Sequence, residues 1–379
     1  MKKRVTSLLF ILVSCMLLSG CWNYRGLNEI DIVTGIAVDK DEETGLYRLT
    51  FEMIDMIGGG EEGGPAAAYV EMDGETLFDA IRNSKRRLIN KLYGGNMQTL
   101  VISRRIAETE GVFGILEELL RDGEPRETMS VVISQEETAK EILQTKGIDS
   151  QIISYEIHEM VEEDSRVTAA TVNVPLYNAY NAIKGTGNVL VLPAIRCVQN
   201  EEETVAEGNG IALFQGDRLT GFLSPAQTKL YLFVVDKLKG GVLSFPIRDP
   251  DESVSMEIKD SQTKTDVRYQ DGQVTVNLSV KIKLNVMEMK TQLSLSQTQE
   301  RETLEQLAEE YLKESLRSFL EDVQREQKRD IFGLGRQIYQ EDPDLWRSLE
   351  PEWDGLFAQA SMQITVETEL LSAGVLKDY

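Results

Sequence analysis

The chain has 379 residues, enough for two or three domains, and its 41% hydrophobic and 27% charged content is typical of a globular protein. Its formal net charge is −23 at pH 7. Because like charges repel, this acidity disfavours nucleic-acid backbones as partners and disfavours docking on anionic lipids by charge alone.

The first twenty-one residues have the pattern of a secretory signal peptide. Residues 1–4 are a cationic head, and residues 8–18 form an almost wholly apolar run, too short for a membrane span of about 20 residues. Residues 18–21 (Leu-Ser-Gly-Cys) then match a bacterial lipobox, in which the cysteine thiol receives a diacylglycerol before the chain is cut in front of it. We therefore expect a signal peptide over 1–20 and lipidation of Cys21. The alternative is an ordinary signal peptide followed by an incidental cysteine.

Attachment of the mature chain to a membrane would depend on that lipid. The signal peptide takes three basic residues with it, so the formal charge changes from −23 to −26. One acyl chain binds a membrane only marginally, whereas two or more, at about 0.8 kcal/mol per buried CH₂, hold firmly. The sequence leaves open whether the Cys21 amine is also acylated.

Cysteine and histidine are too scarce for the usual metal and disulfide chemistry. Cys15 leaves with the signal peptide and Cys21 is expected to be alkylated, so Cys197 stays as a single thiol without a disulfide partner. The one histidine, His158, lies on a predicted helix, and one His with one Cys cannot form the usual zinc site. We predict that both residues are structural and that the chain has no catalytic, metal-binding or cofactor-binding residues.

The N-terminal region alternates between strands and helices. Residues 31–39 and 46–54 predict a hairpin around a polar turn. Beyond it, the apolar periodicity and the cap and glycine signals predict helices and strands in turn. The predicted helices run from Thr76 to the glycine pair at 94–95 and over 105–121, 136–146, 151–163 and 175–184, and the predicted strands cover 97–103, 128–134 and 188–198. Such alternation indicates a sheet with packed helices. The basic cluster at 85–87 is interpreted as a solvated helix face.

An acidic stretch at 200–204 is the predicted domain boundary, which gives a signal peptide at 1–20, an N-terminal α/β region at 21–200 and a C-terminal α+β domain at 201–379. The C-terminal part begins with a predicted hairpin over 207–223. Ser224, Pro225 and Gln227 then form a strong helix start, with Ser at the N-cap and Pro at the first helical position.

Alternating segments follow at 253–259, 263–269 and 273–287, the last two joined by the hairpin signal Asp271-Gly272. The longest predicted helix, 299–328, carries a broad apolar stripe suited to packing on a sheet. Residues 361–370 predict a final strand. The predicted fold class is therefore mixed α/β or α+β, multi-domain, with mixed sheets, packed helices and a long helix in the C-terminal domain.

An ordered set of short motifs spans nearly the whole mature chain, and its sharpest part is the tail. The motifs are Cys21-Trp22, Ile36-Ala-Val-Asp39, Leu119-Leu-Arg-Asp122, Gly210-Ile-Ala-Leu-Phe214, Leu219-Thr-Gly-Phe-Leu-Ser224, Asp330-Ile-Phe-Gly-Leu-Gly335, Pro343-Asp-Leu-Trp346 and Trp353. This set resembles the Ger(x)C family, the C subunits of bacterial spore germinant receptors. Asn23 departs from the acidic residue that the family usually has after Cys-Trp.

The resemblance implies a three-domain mixed α/β lipoprotein with no catalytic activity. It implies a place on the outer face of the inner spore membrane, where the chain would work with an A subunit and a transporter-like B subunit to trigger germination by small nutrients. Which germinant is sensed, and whether this subunit contacts it, stays open.

Two other classes of function fit the sequence less well. A lipid-anchored solute-binding protein serving a transporter usually needs two similar lobes around a cleft, and the two halves of this chain differ in pattern. An extracytoplasmic hydrolase would need a nucleophile or metal motif, and the sequence has neither Gly-x-Ser-x-Gly nor His-Glu-x-x-His.

Overall fold

The computed structural model describes residues 29–55, 65–247, 252–290, 295 and 297–372, and within these ranges the chain forms two β-sheets with helices packed on them. The predicted signal peptide and Cys21 lie outside the described residues. The mixed α/β fold class is confirmed.

The larger sheet is a parallel centre flanked by antiparallel hairpins. Its strands are β1 (Ile30–Lys40), β2 (Tyr47–Asp55), β3 (Ala66–Gly74), β4 (Lys91–Tyr93), β5 (Thr99–Ile102), β6 (Ser130–Ser134), β7 (Val191–Asn200), β8 (Glu203–Gln215) and β9 (Arg218–Leu223). Across the sheet they lie in the order β3-β2-β1-β5-β6-β7-β8-β9, and β4 pairs with the start of β1. The neighbours from β1 through β5 and β6 to β7 are parallel, which requires crossover connections.

Helices cover both faces of this sheet, because successive side chains of a strand point to opposite faces. Ile36 and Val38 of β1 enter one core and Ala37 enters the other, and Leu100 and Val101 of β5 divide in the same way. The first face carries α1 (Leu77–Asn83), α2 (Arg104–Thr109), α3 (Phe113–Asp122) and α6 (Leu176–Lys184); the second carries α4 (Ala139–Leu143) and α5 (Ile153–Val167).

The smaller sheet belongs to the C-terminal part. It has the order β10 (Val242–Pro246), β11 (Ser253–Gln270), β12 (Gln273–Lys290) and β13 (Ser361–Ser372). The β11–β12 hairpin turns at Asp271-Gly272 as predicted, and β13 pairs in parallel with β12. Its helices are α7 (Pro225–Val234), α8 (Thr298–Asp322), α9 (Gly335–Glu341), α10 (Pro343–Leu349) and α11 (Trp353–Ala358), with a π-helical turn at Val323–Gln327 and a 3₁₀ turn at Glu350–Glu352. A further 3₁₀ turn, Ser84–Arg86, follows α1 in the part of the chain that forms the larger sheet.

Strand β8 contributes side chains to the hydrophobic cores of both halves of the molecule. Ile211 and Leu213 pack into the core of the smaller sheet, whereas Ala212 and Phe214 pack into the first core of the larger sheet. Residues 200–204, where the sequence suggested a domain boundary, contain the turn of the β7–β8 hairpin, so the larger sheet continues to Leu223. The division at 200/201 stays a prediction, while the sheets themselves divide between β9 and β10.

Several predicted elements have the wrong extent. The helix predicted over 105–121 is broken into α2 and α3 at Gly111, whose φ is +88° and whose neighbours Val112 and Phe113 donate their backbone N–H groups to Asp217. The helix begun at Thr76 ends at Asn83, since the chain then turns into β4. The helix predicted over 136–146 shortens to α4, and 253–259 with 263–269 is one strand, β11.

Candidate functional site

A cleft of about 850 Å³ lies between the two halves of the described chain. One wall is α6 with the loop that follows it, and the other is formed by the end of α7, β11 and α9. Its lining is rich in side-chain amides, which can both donate and accept hydrogen bonds. These are Asn173, Asn178, Asn181, Asn188, Gln337 and Gln340. The surface therefore suits recognition of polar, uncharged groups.

The two walls of the cleft meet at Gly187. Its φ is +68°, and a Cβ atom there would lie 2.9 Å from the Cα of Arg336, so a side chain would push the walls apart. Arg336 also donates from Nη1 to Oδ1 of Asn188 at 2.6 Å, and Gln337 donates from Nε2 to the carbonyl of Thr265 at 2.9 Å. The contacts of Arg336 with Gly187 and Asn188 therefore join the two walls, whereas the Gln337 bond ties α9 to β11 within one wall.

The cleft lining contains few charged side chains, and Asp236 and Arg336 among them already form hydrogen bonds within the chain. Asp236 accepts a hydrogen bond from the backbone N–H of Thr263 at 2.7 Å, and Lys237 and Arg336 supply the positive charge. Within the described ranges, no group of three or more His, Cys, Asp or Glu side chains is placed to hold a metal ion.

The tail motif builds the wall of the cleft next to α9. Asp330 is buried, and its carboxylate accepts hydrogen bonds from the N–H groups of Phe332 and Gly335, at 2.9 Å each, and from Nε1 of Trp353 at 3.0 Å. Burial raises the pKa of Asp330, and these donors oppose that rise. A Cβ atom on Gly335 would lie 2.4 Å from the Trp346 ring. The motif residues thus hold the loop that presents Phe332 and Leu334 to the cleft.

His158 lies beside a serine. Its Nδ1 atom shares a 2.8 Å hydrogen bond with Oγ of Ser130, and that hydroxyl also donates to Oδ1 of Asn173 at 2.9 Å. Ser130 has no exposed surface, so its hydroxyl cannot reach a substrate as a nucleophile. The contact ties α5 to β6 and to the segment before α6.

Cys197 is on a different element and has different neighbours. It is a partly buried residue of β7, and its backbone N–H donates to Oε1 of Glu136 at 2.7 Å. Burial, helped by the charges of Glu136 and Glu141, raises the pKa of the thiol to about 11. Because the thiolate is the reactive form, this environment makes Cys197 a poor nucleophile at neutral pH.

Comparison with known proteins accounts for nearly the whole chain. A family described as "Spore germination protein N-terminal domain" matches residues 23–197, and one described as "Spore germination B3/ GerAC like, C-terminal" matches residues 209–374. The chain belongs to the Ger(x)C family.

Full-length relatives of this Ger(x)C protein come from Bacillus subtilis (strain 168). Spore germination protein KC is 20% identical over 397 residues, covering 99% of this chain and 97% of that protein. Spore germination protein B3 is 23% identical over 367 residues, covering 95% of each. The crystal structure of the GerBC protein superposes with a TM-score of 0.58 at 19% identity, covering 89% of this chain and 97% of that one, and so shares its fold.

Two buried carboxylates of the Ger(x)C chain were missed by the sequence reasoning. Glu52 is fully buried and accepts hydrogen bonds from the N–H groups of Ile153 and Ser154 at 2.7 and 3.0 Å, at the start of α5. Asp39 accepts from those of Ala139 and Lys140 at 2.7 and 3.0 Å, at the start of α4. A helix start is favourable for a carboxylate. The available signal was an acidic residue within each apolar strand.

Cys21, the predicted lipidation site, lies outside the described residues. Among the residues that the structure covers, no helix combines the length and the apolar character needed to cross a membrane.

Proposed function

We propose that this chain is a lipid-anchored, non-enzymatic subunit of a spore germinant receptor, held by Cys21 on the outer face of the inner spore membrane. There it would support nutrient-triggered germination by contact with the A and B membrane subunits. The observation that carries this proposal is the match to spore germination proteins along nearly the full length of both partners. The lipobox at 18–21 supports the membrane attachment.

The cleft between the two halves is the proposed contact surface for a membrane subunit. Its amide lining offers hydrogen bonds to a polar loop, and its walls are fixed by Gly187 and Arg336. Confinement to one membrane surface raises the effective concentration of the chain toward membrane partners. A modest cleft affinity is then sufficient for assembly.

A solute-binding protein serving a transporter is the second candidate, and the volume and polarity of the cleft favour it. In that case the amides would bind a small nutrient directly. The two candidates differ in one respect: the receptor subunit needs membrane confinement, whereas the solute-binding protein needs nutrient affinity of its own.

Spores that carry a secreted form without Cys21 separate the candidates. We expect this form to fold normally, to bind no germinant tightly in calorimetric titrations and to fail in nutrient germination. Attachment by a foreign transmembrane helix should restore much of the response. If the soluble form works as well as wild type at equal abundance, or binds the nutrient alone at micromolar affinity, the solute-binding candidate replaces the receptor subunit.

A pair of glutamine substitutions tests the cleft itself. Gln340→Arg adds charge and bulk to the cleft, and Gln359→Arg makes the same change at an exposed glutamine outside the cleft lining. We expect the first to reduce nutrient germination at unchanged protein abundance and the second to leave it intact. Equal responses of the two variants would remove the cleft from the proposed interface.

A further inference from the structure

A basic loop with an exposed isoleucine stands at one edge of the larger sheet. It runs from the 3₁₀ turn at Ser84–Arg86 to the start of β4; we call residues 85–90 the basic tip. Ile89 is 95% exposed at its end, whereas the next most exposed large apolar side chains, Met287 and Ile148, are 65% and 63% exposed. Those two are followed directly by acidic residues, and Ile89 is not.

Among the residues that the structure describes, the cations of the basic tip have no carboxylate partner. Residues 82–91 contain five basic residues and no acidic residue. Of these, Lys91 pairs with Glu124, while within the described part of the chain the other four form no ion pair with a carboxylate. Lys85 donates to the backbone carbonyls of Ile89 and Asn90 at 2.7 and 2.8 Å, which neutralises none of its charge.

The basic tip lies where the chain emerges from its N-terminal segment. β4 pairs in parallel with the first residues of β1, with Ile30 opposite Lys91, and Nδ2 of Asn90 donates to Oδ1 of Asp31 at 3.0 Å. Nine residues, 21–29, connect Cys21 to Ile30. Fully extended, they span about 30 Å at most. A lipid on Cys21 would therefore keep this edge of the sheet within about 30 Å of the membrane surface.

The acidity of the whole chain does not prevent a local attraction. Interactions between exposed charges are largely screened beyond about 8–10 Å at physiological ionic strength, so a surface senses the charges nearest to it. Close to the tip these are the cations at 85–87, set against Glu29 and Asp31 of the adjoining strand end and against Asp122 and Glu124, of which Glu124 is paired with Lys91. Repulsion between an anionic membrane surface and the acidic rest of the chain then turns that part of the chain away from the membrane.

We propose, resting on the membrane attachment through Cys21 proposed above, that the basic tip is a second membrane contact that binds anionic phospholipid headgroups and inserts Ile89 at the interface. Each Lys or Arg near an anionic surface strengthens binding about fivefold, and an apolar side chain at the boundary adds to it. The tip would fix the orientation of the chain, so that the cleft faces a constant direction relative to membrane subunits.

A fluorescent probe on a tethered chain tests this contact independently of native lipidation. The chain from residue 22 onward, with a hexahistidine tether in place of Cys21 and Cys197→Ala, is held on vesicles by a nickel-chelating lipid. A nitrobenzoxadiazole probe is placed on Ile89→Cys or, as the control, on Glu43→Cys, which is exposed in the turn after the far end of β1. The vesicles are phosphatidylcholine with or without phosphatidylglycerol.

The matched charge variants are Arg86→Glu and Arg218→Glu, both exposed arginines. Arg218 lies at the opposite edge of the same sheet. Its neighbour Asp217 accepts a hydrogen bond from the N–H of Val112, two residues after Glu110. Glu110 in turn pairs with Lys40, at the end of β1 that is far from the basic tip. Both variants change the net charge equally, so only the position of the charge differs between them.

We expect the probe at 89 to shift to the blue and to be quenched by brominated lipid on phosphatidylglycerol vesicles, and the probe at 43 to do neither. Arg86→Glu should lower the quenched fraction severalfold, and Arg218→Glu should not. If the probes at 89 and 43 show the same blue shift and quenching, or if the signal of the probe at 89 does not depend on phosphatidylglycerol, the proposal is overturned. If the probe stays in water while Arg86→Glu still abolishes germination, the tip instead binds an acidic protein partner. Failure of Cys21 lipidation alone would leave this assay unaffected.

Discussion

Trp353 donates its indole Nε1–H to Oδ2 of Asp330 at 3.0 Å, and both side chains are buried. The two residues are 23 positions apart and belong to the tail motif by which the chain resembles its family. The hydrogen bond links the start of the segment that follows the π-helical turn to the first residue of α11. The same carboxylate holds the backbone that lines the cleft, so stability and cleft shape depend on one buried group.

Substitution of Asp330 is expected to destabilise the fold strongly. Asp330→Ala would leave the N–H groups of Phe332, Gly335 and Trp353 without their acceptor, and we expect a loss of about 3 kcal/mol or more in the free energy of unfolding. Denaturant unfolding followed by circular dichroism measures it. Asp344→Asn, which removes an exposed carboxyl group paired with Arg347, should cost less than about 0.5 kcal/mol. Equal effects of the two substitutions would show that the buried network contributes nothing.

The Asp39 carboxyl group should make the free energy of unfolding depend on pH. Burial raises the pKa of Asp39 to about 6, although the Ala139 and Lys140 N–H groups oppose the rise. Because the folded state favours the protonated form, this contribution to stability is complete below about pH 4 and is lost as the pH rises through about 6. The unfolding free energy of wild type relative to Asp39→Asn should therefore fall by up to about 3 kcal/mol across that range.

Urea titrations at several pH values test this dependence. Asp344→Asn is the control, because its carboxyl group is largely exposed to water in the folded chain. A difference between wild type and Asp39→Asn that stays constant from about pH 4 to 7 would contradict the prediction.

The thiol of Cys197 should react slowly in the folded chain. With a pKa of about 11 it forms little thiolate at pH 8, so alkylation by iodoacetamide should be about a hundredfold slower than in the urea-unfolded chain. Because the side chain is only partly buried, Cys197→Ser should cost no more than about 1 kcal/mol and leave germination intact. Loss of germination in a variant of unchanged thermal stability would indicate a chemical role.

The lipid attachment is testable by labelling. We expect radiolabelled palmitate to be incorporated into the wild-type chain and not into Cys21→Ala. Label in the variant would place the lipid on another residue and would remove the basis for membrane confinement through residue 21.

Local sequence signals determined those elements whose stabilising bonds are also local. Ser224 accepts from the N–H of Gln227 while Gln227 accepts from that of Ser224, all within four residues, so the start of α7 was readable. The Asp271-Gly272 turn was readable for the same reason, since both residues adopt positive φ within the turn itself. The long α8 followed from its apolar periodicity over seven turns.

Tertiary structure alone decided what depends on groups distant in sequence. The break between α2 and α3 arises because Asp217, about a hundred residues away, takes the N–H groups at the start of α3. Glu52 and Asp39 likewise accept hydrogen bonds, while buried, from helix starts about a hundred residues later in the chain. The cleft has no pattern in the sequence, since its amides come from separate elements that the two sheets bring together. The apolar periodicity of a helix or strand predicts which of its faces is buried. Which other element packs against that face depends on the packing of the whole chain.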